Sequence, residues 1–234
     1  MITIKIADLN VQIDNRFHYI ERQCRAYQSD EAPDFTVAAA PDELEQERQF
    51  GSFNDGYLES ICVYRAIARR LPEYDAAVFH AAVVELDGRA FAFTAPSGTG
   101  KTTHIRLWQE RFGERMRILN GDKPILRLLD GVIYAYGTPW RGKENYGCNG
   151  RARLDGVCRL ERGEQNRIVP LAPSALPETL LHQMYLPKDS RAVDRTLSLI
   201  EQIALRVPAF SLQCNMKPEA AELSSRTLLS ERQE

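Results

Sequence analysis

An α/β fold is what the 234-residue sequence predicts: a mixed, antiparallel-rich sheet around a phosphate-binding loop, with a small α+β lobe ahead of it. Three observations carry this. Two runs of alternating apolar residues, "AVVELDGRAFAF" and "ILRLLDGVIYAY", each fold back at an Asp-Gly pair, which tolerates the positive φ of a tight hairpin turn. The second arm of the first hairpin leads directly into "TAPSGTGKTTHIRLW", a glycine-rich loop followed by a helical pattern. The remaining segments have helical periodicity on both sides of this core.

Taken in order, "ITIKIADLNVQI" reads as an opening strand or hairpin and "RFHYIERQCRAYQ" as helical. "DFTVAAA" is a short strand, and Pro41 opens an acidic helix, "PDELEQERQF". From Tyr57 to Leu71, the residues Leu58, Ile61, Tyr64, Ile67 and Leu71 share one helical face. Residues 1–75 form the expected N-terminal lobe and residues 76–234 the expected core with C-terminal helices. "VCRLERGEQNRIVPL" reads as a third, looser hairpin turning near Gly163. Beyond "LAPSALP", two helices, a short strand "FSLQCN" and a last helix from Pro218 complete the chain.

Composition narrows the function classes. The apolar share of 44%, the charged share of 26% and a net charge of -2 describe an ordinary globular chain. They give no general electrostatic reason to expect nucleic acid or an anionic membrane as partner. Five scattered cysteines with no C-x-x-C pair read as free thiols in a reducing compartment. The N-terminal stretch has no apolar signal block, and the longest apolar run, "AAVFHAAVV", is too short to cross a bilayer. A cytoplasmic protein is expected. A homo-oligomer is compatible with all of this.

The loop itself departs from G-x-x-x-x-G-K-[ST] only at its first position, where Ala95 replaces glycine. Ser97, Gly98, Thr99, Gly100, Lys101, Thr102 and Thr103 can supply converging backbone N–H groups, a cation for the outer phosphates and a hydroxyl for Mg2+. Ile105, Trp108 and Phe112 stripe the following helix, whose N-terminus adds its own attraction for phosphate. A loop fed by a tight antiparallel hairpin argues against the GTPase and motor-ATPase classes. The nearest downstream acid is Asp122, in "RILNGDKP". His80 lies in an apolar run, where a satisfied core histidine and a catalytic one are equally good readings. His18, His104 and His182 read as structural or exposed. "TPWRGKENYGCNGRAR" gathers Arg141, Lys143, Arg151 and Arg153 around glycines, with Glu144 among them. Such a loop can close over phosphates or grip an anionic acceptor. A solvated charged loop is the competing reading, and Trp140 and Tyr146 favour a surface to meet.

"FHAAVVELDGRAFAFTAPSGTGKTTHIRLW…RMRILNGDKPIL" resembles the catalytic core of the HPr kinase/phosphorylase and phosphoenolpyruvate carboxykinase superfamily. More narrowly, the chain is similar to small bacterial HPr-kinase-related proteins that accompany peptide-modifying gene clusters. The resemblance spans about residues 30–215 and includes "YLESICVYRAIA", "YGTPWRGKENYG" and "LERGEQNRI". It implies a core like the HPr kinase C-terminal domain. Lys101 then matches the phosphate lysine, Thr102 the magnesium hydroxyl, Asp122 one member of an Asp-Asp pair serving metal and general base, and His80 a histidine ahead of the loop. Here that pair is one Asp between Gly121 and Lys123, and the carboxykinase's length and second metal-binding set are missing. The resemblance implies an ATP- and Mg2+-dependent phosphotransferase acting on a hydroxyl of a peptide, protein or small molecule, with Lys101, Asp122 and His80 catalytic and Thr102 and Asp122 on the metal. Two rivals accompany it. One is a nucleotide-binding regulatory or scaffold protein without transfer activity. The other is a phosphatase or pyrophosphate-using reverse reaction.

Overall fold

The computed structural model describes residues 1–172 and 174–230; Pro173 and residues 231–234, within the expected core, lie outside the described residues. The opening segment is a hairpin of β1 (Ile2–Ile6) and β2 (Leu9–Asp14), turning through Ala7 and Asp8, both at positive φ. A short helix α1 (His18–Gln23) crosses over to β3 (Phe35–Ala38), which lies parallel to β2. Then come α2 (Pro41–Arg48) and α3 (Asp55–Arg70), the latter capped by the Asn54 side chain accepting from the Tyr57 N–H. The buried face of α3 is wider than its apolar spacing predicts. It takes in Glu59, Ser60, Cys62 and Val63, whereas Ile61 is only half-buried. Glu59 is buried because its carboxylate accepts from the N–H groups of Arg16 (2.7 Å) and Phe17 (3.1 Å), where the chain enters α1.

Asp75, in the left-handed region, turns the chain into the second sheet. Its strands are β4 (Ala76–Val78), β5 (Ala81–Leu86), β6 (Arg89–Thr94), β7 (Met116–Asn120), β8 (Ile125–Leu129), β9 (Val132–Tyr136) and β10 (Arg151–Arg162). The spatial order is β4-β8-β9-β10-β6-β5-β7. Both Asp-Gly hairpins form as the sequence predicts, with φ of 52° and 81° at Asp87 and Gly88 and 48° and 79° at Asp130 and Gly131. The helix α4 (Lys101–Phe112) follows β6 and ends at Gly113, φ 56°. The strand feeding the loop therefore has an antiparallel neighbour, β5, on one side and a parallel one, β10, on the other.

The third hairpin does not form. β11 (Arg167–Pro170) pairs only with β12 (Ala209–Cys214), and β12 lies between it and β10, parallel to β10. Side-chain character decides which strand goes inside. β12 brings Phe210 and Leu212 to the core, whereas β11 is short, largely exposed and ends in Pro170, all marks of an edge strand. Between them run α5 (Ala175–Gln183) and α6 (Ser190–Arg206), and α7 (Pro218–Ser230) closes the chain.

The sheet is covered on both faces, one core per face. Val84, Phe91, Phe93 and Leu160 pack with Ile105 and Trp108 of α4 and Ala221 and Leu228 of α7. Val83, Ala92 and Val157 pack with Leu180 of α5 and Leu199 and Ile203 of α6. A third cluster joins the two sheets: Ile4, Val11, Ile20 and Ile67 pack with Ile125, Tyr136 and Trp140. In β10 a bulge between Leu154 and Gly156 turns Asp155 into the interior, where Arg89 and Arg153 both pair with it. All five cysteines are free.

Candidate functional site

The glycine loop leaves β6 at Thr94, whose hydroxyl donates to the His80 carbonyl (2.9 Å). Ala95 is buried and does not have a positive φ, so its Cβ costs nothing here. The strain falls on Gly98 (φ 79°) and Gly100 (φ 124°), and a Cβ at either would meet nothing within 4 Å. The loop is thus an open cradle, with Ser97 and Gly98 exposed and Thr102 and Thr103 half-buried. No side chain caps the N-terminus of α4, which leaves its first N–H groups for an anion.

Lys101, the first residue of α4, is 8% exposed. Its ammonium donates to the Ala95 carbonyl (2.9 Å) and to His80 Nε2 (3.1 Å). That second bond makes Nε2 an acceptor, so Nδ1 carries the proton and donates to Gln183 Oε1 (2.8 Å) at the end of α5. His80 Nε2 also lies 3.5 Å from Asp122 Oδ1. Burial lowers the Lys101 pKa, with the Asp122 charge opposing the shift. Asp122 is held well below the usual carboxylate range, chiefly by the His80 ring beside it, against burial and with help from Lys123, whose ammonium lies 2.8 Å from Oδ2.

A polar lattice fixes the turn that carries Asp122. Asn120 Oδ1 accepts from the N–H groups of Asp122 (2.8 Å) and Lys123 (2.7 Å), an Asx turn. Its amide donates to Thr138 Oγ1 (2.9 Å) and to the Trp140 carbonyl (3.1 Å). The Thr138 and Tyr64 hydroxyls both donate to the Lys123 carbonyl. Gly137 permits the close passage of this segment, since a Cβ there would lie 1.9 Å from the Cys148 carbonyl oxygen.

The structure therefore brings His80, Lys101 and Asp122 together from three segments, beside a half-buried Thr102. It divides the basic residues of 138–153. Arg151 pairs with Asp8 and stacks on Tyr134, and Arg153 pairs with Asp155. Both are spent on structure. Trp140 is buried, stacked on Tyr64 at 4.2 Å and bonded through Nε1 to Ser60, so it meets this chain's own core rather than a partner. The interior attachment, not an external surface, accounts for that aromatic. Arg141 stays near the site: its guanidinium lies 5.9 Å from the Tyr27 ring, its buried Nε lacks a partner, and Gly142 next to it abuts Asp122. Lys143 and Glu144 are exposed on the loop. His104 is structural, on the α4–α7 contact, as expected.

Four contributors gave no sequence signal. Gln183 orients His80. Asn120 and Thr138 hold the Asp122 turn. Arg162, at the end of β10, donates to the carbonyls of Gly98 and Thr99 in the loop. Only the sheet order brings them here, although "NGD" is a recognisable Asx-turn pattern in retrospect. Among the described residues, no group of three or more His, Cys, Asp or Glu could hold a metal on its own, and no helix is long and apolar enough to cross a membrane. A cavity of about 390 Å3 lined by Gly131, Ile133, Leu154 and Arg206 contains none of the loop residues.

No family model matches the chain, and no curated protein matches it. Among solved structures the chain is similar to the HPr(Ser) kinase/phosphatase from Coxiella burnetii, at 10% identity and a TM-score of 0.39, over 66% of this chain and 99% of that one. The reading of the site rests on its own geometry.

Proposed function

We propose that this chain is a nucleoside-triphosphate- and Mg2+-dependent phosphotransferase acting on a hydroxyl acceptor. The observation that carries the reading is the convergence of Lys101, His80 and Asp122 at the mouth of an open glycine cradle on an uncapped helix N-terminus. The donor set fits Mg2+, which takes one or two protein oxygens and completes its shell from phosphates and water. Thr102 and Asp122 would hold the ion, which supplies charge neutralisation on the phosphates when bound.

Lys101 is held by a carbonyl and an imidazole nitrogen, a neutral cage that a phosphate oxygen outbids. Its move toward phosphate frees His80 Nε2 beside Asp122. The acceptor hydroxyl's proton then passes to the Asp122 carboxylate, or to His80 beside it. The acceptor oxygen bonds to the γ-phosphorus, and the bond to the β-bridging oxygen breaks, leaving the nucleoside diphosphate. Positioning and charge do most of this work, with little covalent help needed. Arg141, Lys143 and Glu144 line the loop from which an acceptor would be gripped.

The Asp122→Asn variant should largely keep its nucleotide affinity by calorimetry, since the glycine loop and Lys101 meet the phosphates, while labelled transfer to a hydroxyl acceptor falls by about 10²–10⁴-fold. Undiminished transfer would remove Asp122 from the chemistry. One observation favours a second reading, a nucleotide-binding regulator: Lys123 already neutralises the lone Asp122. Tight Mg-ATP binding with no diphosphate release across peptide, protein and small-molecule acceptors would select it.

A further inference from the structure

Away from the glycine loop, α1 and the first turn of α3 enclose a groove of about 520 Å3 lined by Phe17, His18, Tyr19, Arg22, Asn54 and Asp55. Gly56 sets its floor, because a Cβ there would fall 2.6 Å from the Tyr19 Cβ. From Tyr19, which lines the groove, a ladder of rings runs outward beside it: Tyr19 meets Tyr57 edge-on at 6.1 Å, and Tyr57 meets Phe53 at 5.3 Å. Phe53 is 55% exposed and Tyr57 37%, and Phe50, just upstream, is 79% exposed. Large exposed rings gathered within eight residues are unusual on a surface with no partner.

The charges around the groove are unbalanced. Asp55 is paired by Arg48, and Glu21 is engaged by His18 and Asn15. Arg16, Arg22 and Arg25 are exposed on and around α1, and no side-chain partner meets any of them among the described residues. Apolar rings beside unpaired guanidinium groups fit a segment carrying carboxylates and apolar side chains in alternation. An extended peptide presents such residues on opposite faces. A phosphate polymer fits less well, given a net charge of -2 and the acidic helix α2 leading into the ring ladder.

We propose that this groove docks an acidic, apolar-bearing peptide segment of a partner protein. Phe53, Tyr57 and Tyr19 take its apolar side chains, and Arg22 with Arg16 takes its carboxylates. The far end of α1 is tied to the loop beside the glycine cradle, since Gln23 donates to the Pro139 carbonyl and Tyr27 to that of Cys148. Docking itself stands independently of nucleotide chemistry.

The experiment uses the full chain and a short fluorescein-labelled peptide alternating glutamate with leucine, read by anisotropy. The control replaces each glutamate with lysine. The acidic peptide should bind and the basic one should not. Arg22→Glu and, separately, Tyr57→Ser should each weaken binding at least about tenfold with unchanged circular dichroism. Lys101→Ala should leave it intact, which separates this proposal from the phosphotransfer reading. Equal binding of the two peptides overturns the proposal, as does unaltered affinity in both groove variants. Self-association abolished by Tyr57→Ser, or displacement of the probe by a single-stranded oligonucleotide, overturns it in favour of another occupant.

Discussion

His104 shows how much one buried side chain can decide. Its Nε2 donates to the Ser224 hydroxyl (3.0 Å), which also accepts from Trp108 Nε1 (2.9 Å), and its ring meets Phe93 edge-on. Nδ1 has no partner, and burial pushes the imidazole pKa from 6.5 down to about 4. The unfolded chain therefore binds a proton that the folded chain refuses, throughout the window between these values. Stability is complete above pH 6.5 and falls as pH drops toward 4, by about 3 kcal/mol from this residue. Urea titrations across that range should show His104→Gln with a flatter acid limb than the parent, and parallel limbs would rule out the residue as their cause. Lys101 and Thr102 stand out as candidates in the sequence because a phosphate loop is a local pattern, whereas Asp122 enters only as the nearest downstream acid and through the resemblance. Gln183 does neither, because its claim on His80 depends on where α5 ends against β5.

At the scale of elements, the two Asp-Gly hairpins were legible because their signal and their pairing occupy the same dozen residues. The β10–β11 pairing misled for the opposite reason. A loose local turn predicted contact, but the more apolar β12, arriving much later in the chain, takes the inner position. The β10 bulge was equally hidden, since Asp155 reads as a surface residue until Arg89 and Arg153 converge on it. Removing that carboxylate leaves two guanidinium groups without their buried partner. Asp155→Ala should cost about 1–3 kcal/mol, seen as a lower urea midpoint at unchanged slope. A loss below about 1 kcal/mol would mean that solvent reaches the bulge.

Across the whole molecule, the N-terminal lobe and the core share a cluster rather than merely touching. Tyr64 and Trp140 stack across the junction, and the Tyr64 hydroxyl also holds the turn that carries Asp122. The order of predicted elements suggests a lobe boundary near residue 75, but nothing local announces that Trp140 packs against residues ahead of it. The chain contains two tryptophans, Trp140 at this junction and Trp108 on the α4 face of the sheet. Trp108→Phe leaves Trp140 to report the junction, and Trp140→Phe leaves Trp108 to report the α4 face. Their fluorescence transitions in urea should coincide once each variant's own stability is matched by circular dichroism. A junction signal that melts ahead of its own circular dichroism would show the lobe opening by itself.

The parallel pairing of β10 with β12 also sets a timetable for the nascent chain. Leu160 meets Leu212, made fifty-two residues later, and α5 and α6 must be built in between. At ribosomal speeds that interval is roughly 3–10 s. For that time the far half of β10 is an unzipped edge, with the short β11 the next strand made. The seat of the glycine cradle, which Arg162 braces from that same half-strand, is finished only once β12 has emerged.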